Sequence, residues 1–457
     1  MLKFKQYKKR KGAYRIKIIE LKIYRRRKIV KLKRFRKAAI KAQNKLSKKT
    51  KLPSFYAKRL AQLYSAFIDN FNKQGFIKQE YICKEIIVPT IFTMKNSFDD
   101  SILFFKQLLS TYLLSEKPAI TIDFSNCSKV CISNITLFDI IMREITIMQK
   151  RYNSYSTIKV NRETFIKPPE EEKVRKYLHS FNFCQFTSLC NGDKGSYLPL
   201  GLQKGKTKNY YENRKSKVCS KIVSFVGNSF RGSNCGLTHK GRNAVENLVS
   251  EVLSNAEDHS LRKSYWYVNG ISFKEIQHQI EIVELNLSII NIGLSMYEGF
   301  EETKIENQAN YQKVENAYMR IKERFKSNNT FEKESLYMLF MLQEGISRLK
   351  YEKESRGNGT MNFIESFITL GAFGENNLNF TPELNIISGH TVLTCDNKYK
   401  PFEENGFKKL SLNKEKSLLL LPDKDYIRYN QEYFPGTFLE CKIYLNKDYF
   451  HNILNNK

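Results

Sequence analysis

Apolar and polar positions along the chain follow two rhythms, one helical and one alternating. Val245, Leu248, Val249, Val252, Leu253 and Ala256 recur at i, i+3, i+4 spacing, which predicts an amphipathic helix opening near Asn243. Its other face carries Glu251, Asn255 and Asp258. Residues 265–268 and then Val283, Leu285, Leu287 and Ile289 alternate, predicting two antiparallel strands beside that helix, separated by a polar connection. The second strand runs into Asn291-Ile292-Gly293-Leu294-Ser295. Further on, Arg356-Gly357-Asn358-Gly359-Thr360-Met361 directly precedes an apolar helical run over residues 363–370. Residues 384–390 and 435–443 read as the closing strands and turn of the same unit.

The N-terminal half reads differently. Residues 119–125 form a strand-length apolar stretch, followed by a polar loop and a helix with Phe138, Ile141, Met142 and Ile145 on one face. A second helix over residues 170–179 is opened by Pro168-Pro169. Residues 55–112 show helical spacing with an extended piece at Ile86-Ile87-Val88-Pro89. Residues 61–195 are therefore expected to form a small α/β domain. Residues 201–217, polar and without an apolar period, read as a loop or linker before a second domain over residues 200–457.

Charge changes this picture at one end only. The 457 residues carry 77 Lys+Arg against 46 Asp+Glu, for +31. Residues 1–60 hold 25 Lys/Arg and one acid, Glu20, for +24, which leaves 31 − 24 = +7 on the rest. Basic runs there are interleaved with Tyr14, Ile18, Tyr24 and Phe35. Such an arm suits the backbone of DNA or RNA, where counterion release supplies affinity and rings stack on bases. An anionic membrane surface and a passive solubilising tail are the competing readings. The nine cysteines contain no CxxC pair and suit free thiols in a reducing cytosol. No run of about 18 apolar residues exists to form a transmembrane segment, and the basic start lacks the apolar stretch of a signal peptide. A cytoplasmic protein is expected.

The candidate chemistry lies in the second half. Glu251 and Asn255, four residues apart, stack on one side of a helix, where a carboxylate and an amide can converge on one ligand, although a solvated face has the same spacing. An acceptor at a strand end followed by glycine, as at Asn291 and Gly293, can take a hydrogen bond from an exocyclic amine while backbone approaches a ring. Gly357 and Gly359 at a helix N-terminus offer backbone N–H groups to phosphate.

Taken in order over residues 200–450, these motifs resemble the GHKL ATPase superfamily. The stretch Glu251-Val252-Leu253-Ser254-Asn255-Ala256-Glu257-Asp258 is similar to its N-box. The resemblance implies a Bergerat-type α/β sandwich that binds ATP with Mg2+. It implies that Asn255 holds the metal and Glu251 orients the attacking water or activates a phosphate acceptor. Asp258, Asn291, Gly293, Arg356, Gly357, Gly359 and Thr360 would complete the nucleotide site. Two departures stand out. Asn291 replaces the family's adenine-reading Asp, so its amide oxygen still accepts but carries no charge. Ser295 replaces a glycine, and no phosphoacceptor His-Glu helix precedes the region, which disfavours an ordinary sensor kinase.

The unit around Asp123 resembles a STAS-like regulatory module, whose loop serine, here Ser133, would be phosphorylated by a kinase of this superfamily; a helix cap is the alternative role. It would also offer a surface for a protein partner. The expected function is thus a magnesium-dependent ATPase acting in regulation or on nucleic acid. A serine or histidine protein kinase and a non-catalytic, ATP-sensing nucleic-acid-binding protein are the alternatives.

Overall fold

The computed structural model of the chain describes residues 85–114, 119–155, 163–180, 197–206, 214–230, 235–258, 265–277, 280–302, 307–326, 331–346, 359–371, 373–375, 378–445 and 450–452, with a few single positions besides. The basic arm, most of residues 61–82, the segment 181–196, His259, His278, Arg356, Gly357 and Asn358 lie outside the described residues.

The first unit is built on three parallel strands, β1 (Glu85–Ile87), β2 (Ala119–Asp123) and β3 (Glu163–Lys167), in the order β1-β2-β3. Parallel neighbours require crossover connections, and helices α1 (Phe98–Leu114) and α2 (Ile132–Tyr155) supply the two connections. Asp99 and Asp100 sit in the first turn of α1, where the helix dipole favours negative charge. A third helix, α3 (Glu172–Ser180), follows β3 and buries Val174 and Leu178. The strand-loop-helix pattern expected around Asp123 is present, with Ile120 and Ile122 packed under the helices.

The second unit is a six-stranded antiparallel sheet. Its path is β8-β9-β7-β6-β4, where β4 is Tyr197–Pro199, β6 Tyr265–Gln277, β7 Ile280–Ile292, β8 Glu383–Cys395 and β9 Ile427–Leu445; β5 (Gln203–Lys206) pairs with another part of β6. Two expectations are corrected here. The polar connection after Val268 is the second half of β6, because Asn269–Gln277 pair residue by residue with β7. Within the linker 201–217, residues 203–206 are strand. Both stretches lack a local apolar rhythm because their pairing partner, not their periodicity, holds them in the sheet. The strands expected to close the fold, β8 and β9, are paired with each other, and β9 lies between β8 and β7 well inside the sheet.

Alternating side chains give the sheet two buried faces. On one, Val283, Leu285, Leu287 and Ile289 of β7 meet α4 (Arg214–Gly227), α5 (His239–Asp258) and α9 (Gly359–Gly371). On the other, Ile290, Ile387, Phe434 and Phe438 join one continuous core with α1 and α2 of the first unit. Three short helices, α6 (Met296–Glu301), α7 (Gln308–Arg324) and α8 (Lys333–Met341), lie between β7 and α9 and form a small aromatic cluster around Phe300, Tyr311, Tyr337 and Phe340.

The seam between the units is charged as well as apolar. Lys95 meets Glu383 at 2.5 Å, Lys106 meets Glu432, and Lys204 meets Glu144 at 3.3 Å. Asp99 accepts the backbone N–H of Glu432 at 2.8 Å. Ser133, in the first turn of α2, has no exposed surface and stands beside Glu440 of β9, whose carboxyl is pushed up by burial. A phosphorylated Ser133 is incompatible with this packing. Among the described residues no helix is long and apolar enough to cross a membrane.

Candidate functional site

Helix α5 forms where the apolar stripe demanded one. Val245, Leu248, Val249, Val252 and Leu253 are all buried against the sheet, and Glu251 on the flank is half-buried. Asn255 and Asp258 belong to the last turn of the helix; their side chains lie outside what is described. Helix α9, opened by Gly359 and the half-buried Thr360, packs Met361, Ile364 and Phe367 into the same core as α5. The helices that carry Glu251 and Gly359 are therefore neighbours. Arg356 and Gly357, placed in the phosphate cradle by the sequence, fall outside the described residues.

Asn291 sits one residue from the end of β7. Its odd-numbered neighbours Leu285, Leu287 and Ile289 all face the α5 side, so Asn291 faces that side too. It is 6% exposed, and its Nδ2 donates to the Ala256 carbonyl near the C-terminal end of α5 at 3.5 Å. Its Oδ1 is buried and has no hydrogen-bond partner among the described residues. A buried acceptor left unpaired costs about 1 to 3 kcal/mol.

The residue across from Asn291 on β9 is Thr437, and the residue across from Thr437 on β8 is Ser388. A polar row thus crosses three neighbouring strands, from the edge strand β8 inward. Ser388 Oγ donates to the Gly436 carbonyl at 2.8 Å, lies 3.0 Å from Thr437 Oγ1 and accepts the backbone N–H of Met296 at 2.8 Å. Asn291 is the member of this row with an acceptor left over. Gly436 keeps the row tight: its φ is +130°, and a Cβ there would lie 2.0 Å from the Asn291 carbonyl oxygen.

The turn after β7 is held in place from two sides. Gly293 donates its N–H to the Pro435 carbonyl at 3.2 Å. Ser295 caps α6 in a reciprocal capping box with Glu298. Glu298 also accepts the hydroxyl of Tyr433. Beside it, Glu334 of α8 accepts the His390 N–H at 2.7 Å; burial and the nearby Glu298 carboxylate outweigh that bond and raise the Glu334 carboxyl to about 7. Gly389, at φ +60°, leaves room for this carboxylate, since a Cβ there would lie 2.2 Å from Glu334 Oε1.

Sequence reading located Glu251, Asn291, Gly293, Gly359 and Thr360 on the elements expected of them, and missed Ser388, Thr437 and the Ala256 carbonyl. The missed signal was a serine and a threonine at inward positions of otherwise apolar strands. Two surface grooves, of about 550 Å3 beside Ile87, Asp100 and Leu103 and about 400 Å3 beside Leu200, Gln203 and Ser224, include neither Glu251 nor Asn291. Among the described residues no three His, Cys, Asp or Glu side chains gather as a metal site. Family models, curated proteins and solved structures gave no match to the chain.

Proposed function

We propose that residues 200–457 form a Bergerat-type, magnesium-dependent ATP-binding unit that hydrolyses ATP, with the first unit as its STAS-like regulatory neighbour and the basic arm as its contact to DNA or RNA. The observation that carries this reading is the unpaired Oδ1 of Asn291, buried at a strand end beneath α5. An acceptor in that position fits the exocyclic amine of adenine, which would return the hydrogen bond that the folded chain leaves unmade.

The other residues take roles consistent with their places. Glu251, half-buried on α5, orients and polarises the attacking water. Asn255, one helical turn on, is the residue assigned to hold magnesium, which when bound offsets charge on the phosphates. Gly359 and Thr360 present the N-terminal N–H groups of α9 to the phosphates, with Arg356 and Gly357 preceding them. Calorimetric titration of ATP into the full chain tests the reading at its base: wild type binds, and Asn291→Ala binds more weakly. Equal affinities would make Asn291 a turn residue and remove the support for an adenine site.

A further inference from the structure

One surface of the second unit gathers cations on two adjoining elements. Helix α7 buries Tyr311, Val314 and Ile321 against Phe300, Leu336, Tyr337 and Phe340. At about 100° per residue, Lys313, Arg320 and Arg324 then fall within about 40° of one another on a flank roughly 110° round the helix from that buried face, a stripe some 16 Å long. All three are exposed, as are Gln312 and Asn316 beside them and Lys326 just past the helix end. None of Lys313, Arg320, Arg324 and Lys326 forms an ion pair among the described residues, whereas Lys333, on the neighbouring α8, is paired with Glu315.

A second element continues the stripe. The loop over residues 413–421 is fixed by Asn413, whose Nδ2 donates to the carbonyls of Ser417, Leu420 and Leu421 and whose Oδ1 accepts the Ser417 N–H. Leu418 and Leu421 pack into the α7 cluster, and Arg324 donates to the Leu419 carbonyl at 3.5 Å. The loop holds Lys414 and Lys416 exposed. Against these six cations stand the exposed acids Glu323 and Glu415.

We infer that the outer face of α7 and the loop at residues 413–421 form a binding surface for the phosphate backbone of nucleic acid, separate from the basic arm. The surface is rigid, cationic and lined with amides, which suits phosphates and sugars. It does not suit insertion into a membrane, because the apolar side of α7 is already spent on the protein's own core. Met319 lies well round the helix from the stripe, and Leu419 alone offers too little apolar area to anchor in lipid. The inference is independent of the ATP site.

The test uses the full chain, labelled duplex DNA and labelled single-stranded RNA, over a range of salt concentrations. Reversing Lys313, Arg320 and Arg324 to Glu should lower the slope of log affinity against log salt by about 3 for DNA, near 0.9 for each phosphate no longer neutralised. The matched reversal of Lys129, Lys150 and Lys173, exposed on the first unit, changes the net charge equally and should leave the slope within about one unit. Replacing the same three α7 residues with Gln keeps helix propensity and should also lower the slope, which separates the removal of phosphate-binding groups from misfolding of the helix. Equal losses in the α7 and control reversals would reduce the effect to general charge and overturn the proposal. Wild-type slopes in both α7 variants, or loss of flotation with phosphatidylserine vesicles while DNA and RNA binding persist, would overturn it as well.

Discussion

The two faces of the central sheet differ in their buried charges. Toward the first unit, charges are answered: Lys106 by Glu432, Lys95 by Glu383, and the Glu432 N–H by Asp99. Toward α5, the row from Ser388 through Thr437 to Asn291 ends in an acceptor with nothing to accept. The ion pairs that hold the two units together are made within the chain, since an uncompensated buried charge would cost several kcal/mol, and the same face also leaves Ser288 Oγ and Glu440 Oε2 without a partner among the described residues. An acceptor left open at a strand end stabilises nothing in the free protein, and its free energy is recovered when a ligand supplies the donor. The first face is a seam held by ion pairs; the second carries Asn291, the residue on which the proposed ATP site rests.

The comparison is broken most easily at the seam. Glu432→Ala takes the carboxylate partner from Lys106, which is 3% exposed, and should cost about 3 kcal/mol of unfolding free energy, the lower end of the range for a buried pair because Glu432 keeps some contact with water. Denaturant unfolding measures it; a loss below about 1 kcal/mol would place the pair among ordinary surface bridges. On the other face the expected loss is in function. Glu251→Gln should retain ATP binding while phosphate release falls by ~10²-fold or more, the range for a lost general base. Hydrolysis at the wild-type rate would take Glu251 out of the mechanism.

Asn291→Ala sharpens the contrast, because it should cost about 1 to 3 kcal/mol of ATP binding yet change the stability of the free protein by less than about 1 kcal/mol. Calorimetry and unfolding of the same variant separate the two quantities. A variant as unstable as Glu432→Ala would show that Asn291 belongs to the structure.

A pH dependence of stability is expected from Glu334. Its carboxyl is raised to about 7 in the folded chain from an ordinary 4.5, so the folded state binds the proton more tightly than the unfolded one between those values. This contribution is fully present below about pH 4.5 and is lost as the pH rises toward 7, with a slope of at most about 1.4 kcal/mol per pH unit. Glu334→Gln should flatten that part of the stability profile. An unchanged profile would show that Glu334 titrates as an exposed carboxylate does.

What could be read from local sequence was whatever a local rhythm expresses. The helix under Glu251 declared itself because Val245 through Ala256 repeat at helical spacing, and β7 because its apolar residues alternate up to Asn291. The second half of β6, with Asn269 and Ser272 buried, was legible only as polar, since its place in the sheet is fixed by β7 across the hairpin. Ser388 was similarly silent: nothing near it in the chain states that β9 will bring Thr437, and through it Asn291, alongside.

The sequence by itself determined the strand-loop-helix unit around Asp123, α5, α9 and β7, and the concentration of positive charge in residues 1–60, and it offered Glu251 and Asn291 as candidates. The tertiary structure alone decided that the first unit covers one face of the large sheet, that Ser133 is buried in the seam, that a polar row crosses three strands, and that unpaired cations line α7. The division has a physical cause. Periodicity and capping act over a few residues, within reach of one turn or one strand, whereas register, burial of a lone polar group and convergence of charges arise when separate segments of the chain are packed together.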